Sequence, residues 1–326
     1  MRYITRKEIL LKGIKYNKAT GLELGPLAWP VLTKDEADIY YLDHLPTLEL
    51  KQKYKDDKKF PISMIVDVDY SLKKSDTLKK ATLNKKFNYV IASHIIEHVP
   101  DIISWLDEIS NVLDKDGILS LAIPDKRYTF DINRPVSTAG QIIGSYLEKR
   151  KIPSAEQVID YGLSTVEVDA RKIWDGQLFL NAPKKFTQEE VIKMSKKSID
   201  QNIYQDCHCF VFTPHSFLEI FKQLVIFDLM PFKIINYVPT RYAEYEFFVQ
   251  LQKIDPNKEK ILDSIPKLPR ELSKRELEKQ IEQLKNNNNS LENKIHGYEQ
   301  SRSWKVTKPI RKISKTYTKL KPGSKH

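Results

Sequence analysis

Three acid–base side chains in this sequence could take part in proton transfer. His94 follows the apolar run of residues 89–92, and Asp125 follows a second apolar run, residues 118–123. His208 lies between two cysteines in the second half of the chain. An imidazole with an ordinary pKa of about 6.5 can remove a proton from a hydroxyl group near neutral pH. We therefore predict that His208, His94 and Asp125 act in catalysis.

Cys207, His208 and Cys209 are three possible metal ligands in a row. In structural zinc sites the ligands come in pairs separated along the sequence, whereas these three residues are consecutive. We therefore predict no metal site here and interpret the segment as a buried strand with alternating faces. His98 stands at the entry to a predicted helix, where a histidine more often bonds to backbone groups, so we expect a structural role for it.

A glycine turn and two acids have the spacing of a site for an adenosine-containing ligand. Glu23 and Gly25 end a short apolar strand, and Asp43 follows about 20 residues after Glu23, at the end of a second strand. An acid at this distance can accept hydrogen bonds from both ribose hydroxyls. A dinucleotide would need three glycines in the turn, and only Gly25 is present. The pattern therefore favours an adenosyl ligand without a diphosphate.

Residues 87–125 predict the strand–helix–strand unit that would carry these groups. Two apolar runs flank a segment in which Ile102, Ile103, Leu106, Ile109, Val112 and Leu113 recur at helical spacing. Pro100-Asp101 is typical of a helix start, and Asp116-Gly117 of a stop and a turn. Such a unit belongs in a parallel sheet covered by helices, with ligands at the carboxyl edge.

The flanking segments extend this sheet. Residues 37–44 and 64–70 predict two further strands, the second ending in Asp67 and Asp69. Thr213 and Pro214 open a predicted helix, and residues 232–239 and 244–252 predict an antiparallel pair at the sheet edge. Residues 127–210 lack clear periodicity and are interpreted as an insertion, or substrate lid, over the ligand edge.

These motifs together resemble class I S-adenosylmethionine-dependent methyltransferases. The resemblance covers residues 18–125, most specifically the segment S-x-x-x-E-H-V at residues 93–99, and resumes over the last helix and strand pair. It implies a doubly wound, mostly parallel seven-stranded α/β sheet with an antiparallel edge hairpin. It also implies S-adenosyl-L-methionine as the cofactor. The residues that it assigns to the cofactor are Glu23, Gly25 at the methionine moiety, Asp43 at the ribose, Asp69 rather than Asp67 at the adenine, and Ser93 and His94 at the methionine end.

A narrower likeness concerns the acceptor. The segments LELGPLAWPVL, IPDKRYTFD, DCHCFVFTP and SRSWKVTKPIR resemble those of methyltransferases of bacterial surface-polysaccharide biosynthesis. This likeness implies O-methylation of a sugar in a surface glycan or its lipid-linked or nucleotide-linked precursor, with Tyr128 and Asp131 near the acceptor. Two alternatives stay open: a methyltransferase for a small metabolite, lipid or protein, and a non-catalytic scaffold of a glycan-assembly complex.

We divide the chain into a methyltransferase domain (1–253, with the insertion 127–210), a linker (254–270), a coiled coil (271–300) and a basic amphipathic tail (301–326). Residues 277–298 show an apolar heptad with Asn288 in the core, which favours a homodimer. The tail carries seven Lys and two Arg and no acid, so it holds +9 of the net charge of +11. We expect it to bind the inner membrane surface or a glycosyltransferase complex. Nucleic acid is the weaker expectation, because the body is nearly neutral.

The sequence also predicts a cytoplasmic protein, peripheral at the inner face of the cell membrane. It contains no long apolar span and no apparent signal peptide. Two cysteines in 326 residues do not form a disulfide framework and suit a reducing compartment.

Overall fold

A computed structural model describes residues 4–57, 60–72, 77–177, 182–255, 257–267 and 274–300. The chain divides into two units, Met1–Leu268 and Pro269–His326. The first unit contains a seven-stranded sheet between helices. The described part of the second unit is one long helix.

The sheet has the strand order β3-β2-β1-β4-β5-β7-β6. Its strands are β1 (Gly21–Leu24), β2 (Ile39–Asp43), β3 (Tyr70–Ser71), β4 (Phe87–Ser93), β5 (Leu113–Pro124), β6 (Phe232–Val238) and β7 (Glu246–Lys253). The first five pair in parallel, and β7 runs antiparallel to both β5 and β6. This confirms the mostly parallel seven-stranded sheet with an antiparallel edge.

Eleven α-helices are present in the described residues. They are α1 (Arg6–Leu10), α2 (Thr47–Lys53), α3 (Leu78–Ala81), α4 (Ile102–Val112), α5 (Ala139–Leu147), α6 (Ala155–Ser164), α7 (Ala170–Trp174), α8 (Gln188–Gln201), α9 (Pro214–Ile226), α10 (Lys258–Asp263) and α11 (Lys274–Gln300). The predicted cap of α9 is confirmed, since the Thr213 hydroxyl accepts the N–H of Ser216 and Pro214 follows it.

The central strand–helix–strand unit is confirmed, with one shifted boundary. Asp101 accepts the N–H of Ser104 and caps α4, whose apolar face is buried against the sheet. The helix ends at Val112, and β5 begins directly at Leu113 rather than after a turn at Asp116-Gly117. Asp116 still takes a left-handed backbone (φ 59°), so the irregularity lies inside the start of the strand.

The predicted third strand over residues 64–70 is wrong in position. A short 3₁₀ turn, Ile62–Met64, comes first, and β3 contains only Tyr70 and Ser71. Aspartate is a poor strand former, and Asp67 and Asp69 delay the strand until after both acids. Asp69 therefore lies before β3 and not at its carboxyl end.

Two other segments also differ from the predictions. The linker predicted over residues 254–270 contains α10, which Asn257 caps and whose Ile261 is buried in the core. Residues 207–209 do not form a strand, although all three are buried. The helix α10 was not predicted because residues 254–270 are mostly polar. A strand was wrongly predicted over residues 207–209 because their buried pattern is not accompanied by a pairing strand.

The insertion, residues 127–210, contains α5 to α8. Helices α6 and α8 pack closely, since a Cβ on Gly162 would lie only 2.5 Å from a methyl carbon of Val191. The insertion begins and ends beside the carboxyl edge of the sheet, because Asp125 forms a bridge with Phe212. A role of the insertion as a substrate lid over that edge stays a prediction.

The second unit confirms a helix over residues 274–300. The heptad side chains Ile281, Leu284, Leu291, Ile295 and Tyr298 are all exposed. Pairing of this helix with a second copy stays a prediction, and the basic tail, residues 301–326, lies outside the described residues. No helix in the described part of the chain has the length and hydropathy that a membrane span requires.

Candidate active site

The order of the strands places a crevice between β1 and β4. From β1 the chain proceeds through β2 and β3 on one side, and from β4 through β5 on the other. The loops that follow β1 and β4 therefore diverge, and open α/β sheets bind ligands at such a point, outside the carboxyl ends of the strands. Leu24 pairs with both Leu42 and Ala92, so Gly25, Asp43 and Ser93 follow at the same level of three adjacent strands.

Gly25 forms the turn after β1. Its φ is +59°, a left-handed conformation that glycine adopts without strain, and its N–H donates to the carbonyl of Leu42 at 2.8 Å. A Cβ here would lie 2.7 Å from the Ile95 side chain, in the loop after β4. The glycine therefore lets the two loops approach each other at the crevice.

Glu23 stabilises the same turn from within β1. It is 2% exposed, and its two oxygens accept the N–H of Val31 at 2.8 and 3.0 Å. Burial raises the pKa of this carboxyl to about 7, although the bonded backbone groups oppose the shift. The predicted role in cofactor binding is therefore indirect, because the chain itself occupies the carboxylate.

Asp43 and Ser93 each present a buried oxygen with no hydrogen-bond partner. Asp43 is 4% exposed; its Oδ1 accepts the N–H of His44 at 2.7 Å, and its Oδ2 has no donor. Ser93 Oγ is also buried and unpaired. Buried polar atoms nearly always have partners, so two such atoms at the tips of β2 and β4 suit the polar groups of a ligand.

Asp69 does not join them, which corrects its predicted place. Its Oδ2 accepts the N–H of Tyr41 at 2.8 Å, and its Oδ1 lies 2.6 Å from Lys34 Nζ. Tyr41 precedes the carboxyl end of β2 by two residues. The acid is used to join β2 and the start of β3, away from the edge where an adenine would lie.

His94 lies at the edge, but both of its ring nitrogens face carboxylates. Its backbone is left-handed (φ 54°), Nε2 lies 2.8 Å from Glu246 and Nδ1 lies 3.6 Å from Glu97. Arg6 also binds Glu246 at 2.7 Å. Burial raises the pKa of Glu246, but His94 and Arg6 outweigh it and lower the pKa overall. The contact with this carboxylate fixes the orientation of the His94 ring at the sheet edge.

Asp125 makes structural hydrogen bonds through both of its oxygens, so we do not carry its predicted catalytic role into the proposal. It is fully buried, and its Oδ2 accepts bonds from Arg127 Nη2 and Thr240 Oγ1, both at 2.7 Å. Its Oδ1 accepts the backbone N–H of Arg127. The carboxylate thereby fixes the turn after β5 against the β6–β7 hairpin.

His208 is the predicted catalytic residue whose surroundings suit proton transfer. It is 6% exposed, and its Nδ1 lies 2.5 Å from Asp131 Oδ2. Arg134 Nη1 binds the other Asp131 oxygen at 3.0 Å and donates to the backbone carbonyl of His208. Burial raises the pKa of Asp131, but His208 and Arg134 outweigh it and hold that pKa below its ordinary value. With Nδ1–H donated to Asp131, the lone pair of His208 is on Nε2.

Glu97 is the main residue that the sequence reasoning missed. It is fully buried, neither side-chain oxygen accepts a hydrogen bond, and His208 Nε2 lies 4.0 Å from its Oε1. Its backbone carbonyl accepts the N–H of Cys209 at 2.7 Å, which joins the end of the insertion to the loop after β4. The E-H-V part of the resemblance contained the signal, but we interpreted it as a helix entry.

No family model and no curated protein matches this chain. Among solved structures it is similar to a CurJ carbon methyltransferase, with a TM-score of 0.36 and 10% identity over 76% of this chain and 51% of that one. The chain thus spans about half the length of that protein.

Two further solved structures cover more of their own length. A protein of Rhodobacter sphaeroides described as a Zn-dependent alcohol dehydrogenase has a TM-score of 0.42 and 12% identity over 76% of this chain and 88% of that one. A SAM-dependent methyltransferase of Aquifex aeolicus has a TM-score of 0.36 and 11% identity over 77% of this chain and 91% of that one.

Proposed function

We propose that this chain is an S-adenosylmethionine-dependent O-methyltransferase that acts on a sugar hydroxyl of a bacterial surface glycan or its precursor. One observation carries the proposal. Asp43 Oδ2 and Ser93 Oγ are buried and unpaired at the tips of β2 and β4, the two strands on either side of β1 and its turn at Gly25. The seven-stranded sheet around them is the fold that the family resemblance implies.

The residues at the crevice suit the adenosyl ligand. Asp43 would accept a ribose hydroxyl on Oδ2, while His44 holds the other oxygen. Gly25 leaves room for close approach of the methionine part, and Ser93 offers a hydroxyl on the opposite side of the turn. Asp69 is not included, because its carboxylate is bound to Tyr41 and Lys34.

The acceptor side would be formed by the insertion. S-adenosylmethionine supplies a methyl group on a positively charged sulfur, and the acceptor oxygen takes this methyl as the carbon–sulfur bond breaks. His208 takes the hydroxyl proton on Nε2, and Asp131 stabilises the resulting imidazolium through Nδ1. The remaining contribution of the chain is to align the hydroxyl with the methyl group.

Aromatic side chains at the same edge favour a sugar as the acceptor. Tyr128 and Trp174 stack with ring centroids 4.2 Å apart, and Tyr242 meets Trp174 edge-on at 5.8 Å. Trp174 is fixed by its indole N–H, which donates to the carbonyl of Glu244 at 2.8 Å. Fixed rings with polar edges complement a sugar ring, which has apolar faces and a polar rim.

Transfer of a labelled methyl group tests the acceptor class. The purified chain is incubated with labelled S-adenosylmethionine and lipid-linked or nucleotide-linked sugars, and in parallel with small metabolites, lipids and proteins. We expect label in the sugar fraction. Mild base should not release this label, because a methyl ether resists base whereas a methyl ester does not. Label only in another class would favour the alternative acceptor, and no transfer with no cofactor binding would favour the scaffold.

The second unit suits dimerisation and recruitment. The exposed heptad of α11 would pair with a second copy, with Asn288 fixing the register. The tail would hold the enzyme near an anionic membrane or a glycosyltransferase complex. Sedimentation of the full chain and of Leu284→Lys tests the pairing, with Asn286→Lys, on the outer heptad position, as the matched control. Flotation with anionic and neutral vesicles tests the tail.

A further inference from the structure

Glu97, His98 and His208 form a cluster that the methyl-transfer account does not fully use. One potential ligand atom from each residue lies within 4.8 Å of the other two. Glu97 is fully buried, and neither of its oxygens accepts a hydrogen bond. A buried carboxylate without a hydrogen bond is costly, so this position suits a positively charged ligand.

Carboxylates also stand behind both histidines. Asp131 Oδ2 is hydrogen-bonded to His208 Nδ1 at 2.5 Å, and Asp206 Oδ1 lies 2.9 Å from His98 Nδ1 as an ion-pair contact without hydrogen-bond geometry. Histidines that bind metal ions characteristically donate their second ring nitrogen to a carboxylate, which fixes the orientation of the ring. The His98 and His208 rings meet edge-to-face with centroids 4.6 Å apart, so both are held against Glu97.

We propose that Glu97, His98 and His208 bind a divalent transition-metal ion, with zinc as the type ion. Two imidazoles and one carboxylate are a donor set for zinc, whereas magnesium and calcium prefer oxygen ligands alone. Zinc–ligand distances of about 2.1 Å place tetrahedral donors about 3.4 Å apart. His208 Nε2 and Glu97 Oε1 are 4.0 Å apart, so small side-chain rotations would close the site. Three protein ligands leave a fourth position for an oxygen ligand.

This site goes beyond the proposed function, and a bound ion would replace His208 in the proton-accepting role proposed above. With an ion on Nε2, His208 cannot take the proton itself. An acceptor hydroxyl bound at the open position would instead lose its proton to solvent, because the ion lowers the pKa of a coordinated oxygen. Ion binding can be measured without any methyl transfer, so the two proposals can fail separately.

The segment Cys207-His208-Cys209 by itself predicts no metal site, because the other ligands are distant in the sequence. Cys207 and Cys209 flank His208, but the partners of this histidine in the cluster come from the loop after β4. More than 100 residues separate the two segments. Such a pattern has no local spacing for sequence reasoning to recognise.

Zinc titration of the untagged full-length chain tests the proposal. The protein is freed of metal with a chelator and then competes for zinc with a chromophoric chelator. We expect one tight equivalent, and a loss of at least 100-fold in affinity in Glu97→Gln and in His208→Asn. His215→Gln, which removes a histidine outside the cluster, should bind zinc as the parent does. Absence of tight binding in the parent chain, or unchanged binding in Glu97→Gln, would overturn the proposal.

A second readout covers the case in which one variant fails to fold. Cobalt replaces zinc and reports its ligands by visible absorption, which should appear in the parent and be absent in His98→Gln. Binding of S-adenosylhomocysteine to each variant checks that the fold is intact. Retained S-adenosylhomocysteine binding without any metal site would reject the ion and leave the methyltransferase proposal standing.

Discussion

The two sides of the crevice are built in different ways. The proposed cofactor side consists of Gly25, Asp43 and Ser93, each of which ends or follows a strand of the same parallel sheet. The proposed acceptor side consists of Glu97, Asp131 and His208, which come from the loop after β4 and from both ends of the insertion. The first side is set by strand register, and the second by contacts between distant segments.

This difference has a chemical counterpart. The proposed cofactor side holds one carboxyl group, Asp43, and one hydroxyl group, Ser93. Each has a buried oxygen without a hydrogen-bond partner, which could bind a hydroxyl or amine of the ligand. The proposed acceptor side holds two carboxylates, an arginine and two histidines in a cluster whose members are buried apart from the half-buried His98. Such a cluster is suited to proton or ion binding, so loss of one member should affect chemistry more than cofactor affinity.

The largest expected effect follows from His208→Asn. Its Nε2 either takes the proton or binds the ion, and general acid–base catalysis contributes about 10²–10⁴-fold to a rate. We expect turnover to fall by about that factor with the acceptor found in the transfer screen, while S-adenosylhomocysteine binds as before. Equal losses of cofactor binding and turnover in His208→Asn would contradict this difference between the two sides, because a purely structural residue would affect both. His215→Asn is the matched control.

Glu23→Gln should change stability in a pH-dependent way. The folded-state pKa of Glu23 is about 7, above the ordinary value, so the native chain keeps a proton that the unfolded chain releases at lower pH. The parent therefore loses stability as pH rises from about 4.5 to about 7, and the neutral amide avoids this loss. We compare the free energy of unfolding of Glu23→Gln with that of the parent at each pH. This difference, variant minus parent, should be about 2–3 kcal/mol larger at pH 8 than at pH 5. Urea unfolding at both pH values measures it, and an equal difference at both would contradict it.

Gly25→Ala should have a smaller effect. Alanine in a left-handed backbone costs about 1 kcal/mol, and its Cβ would press on the Ile95 side chain. We expect the free energy of unfolding to fall by about 1–2 kcal/mol and S-adenosylhomocysteine affinity to fall several-fold. Ile95→Ala in the same chain removes the steric part and should restore part of the affinity. No recovery would mean that the two loops do not meet as described.

The sheet could be predicted from sequence because its signals are local. Apolar runs, the Asp101 cap and the Thr213-Pro214 start each lie within a few residues of the element that they define. The register that brings Asp43 beside Gly25 then follows from parallel pairing. β3 was misplaced because its two residues are too few to carry a pattern, and Asp69 moved with it.

The acceptor side could be predicted only in part. His208 was identified as a chemical residue type, but its partner carboxylates, Asp131 and Glu97, are brought to it by tertiary packing. Asp125 is also an acid–base side chain at the same sheet edge, but its carboxylate already accepts hydrogen bonds from Arg127 and Thr240. Residue type and strand position were therefore not enough, because only the hydrogen-bond partners distinguish His208, the proposed reactive group, from the structural Asp125.

Calorimetric titration with S-adenosylhomocysteine tests the central claim most directly, because it asks whether the unpaired oxygen of Asp43 holds an adenosyl ligand. We predict one site in the parent chain, an affinity loss of about 10–100-fold in Asp43→Asn, and no change in Asp35→Asn, an exposed acid. No heat of binding in the parent, or equal affinity in the parent and Asp43→Asn, would contradict the account.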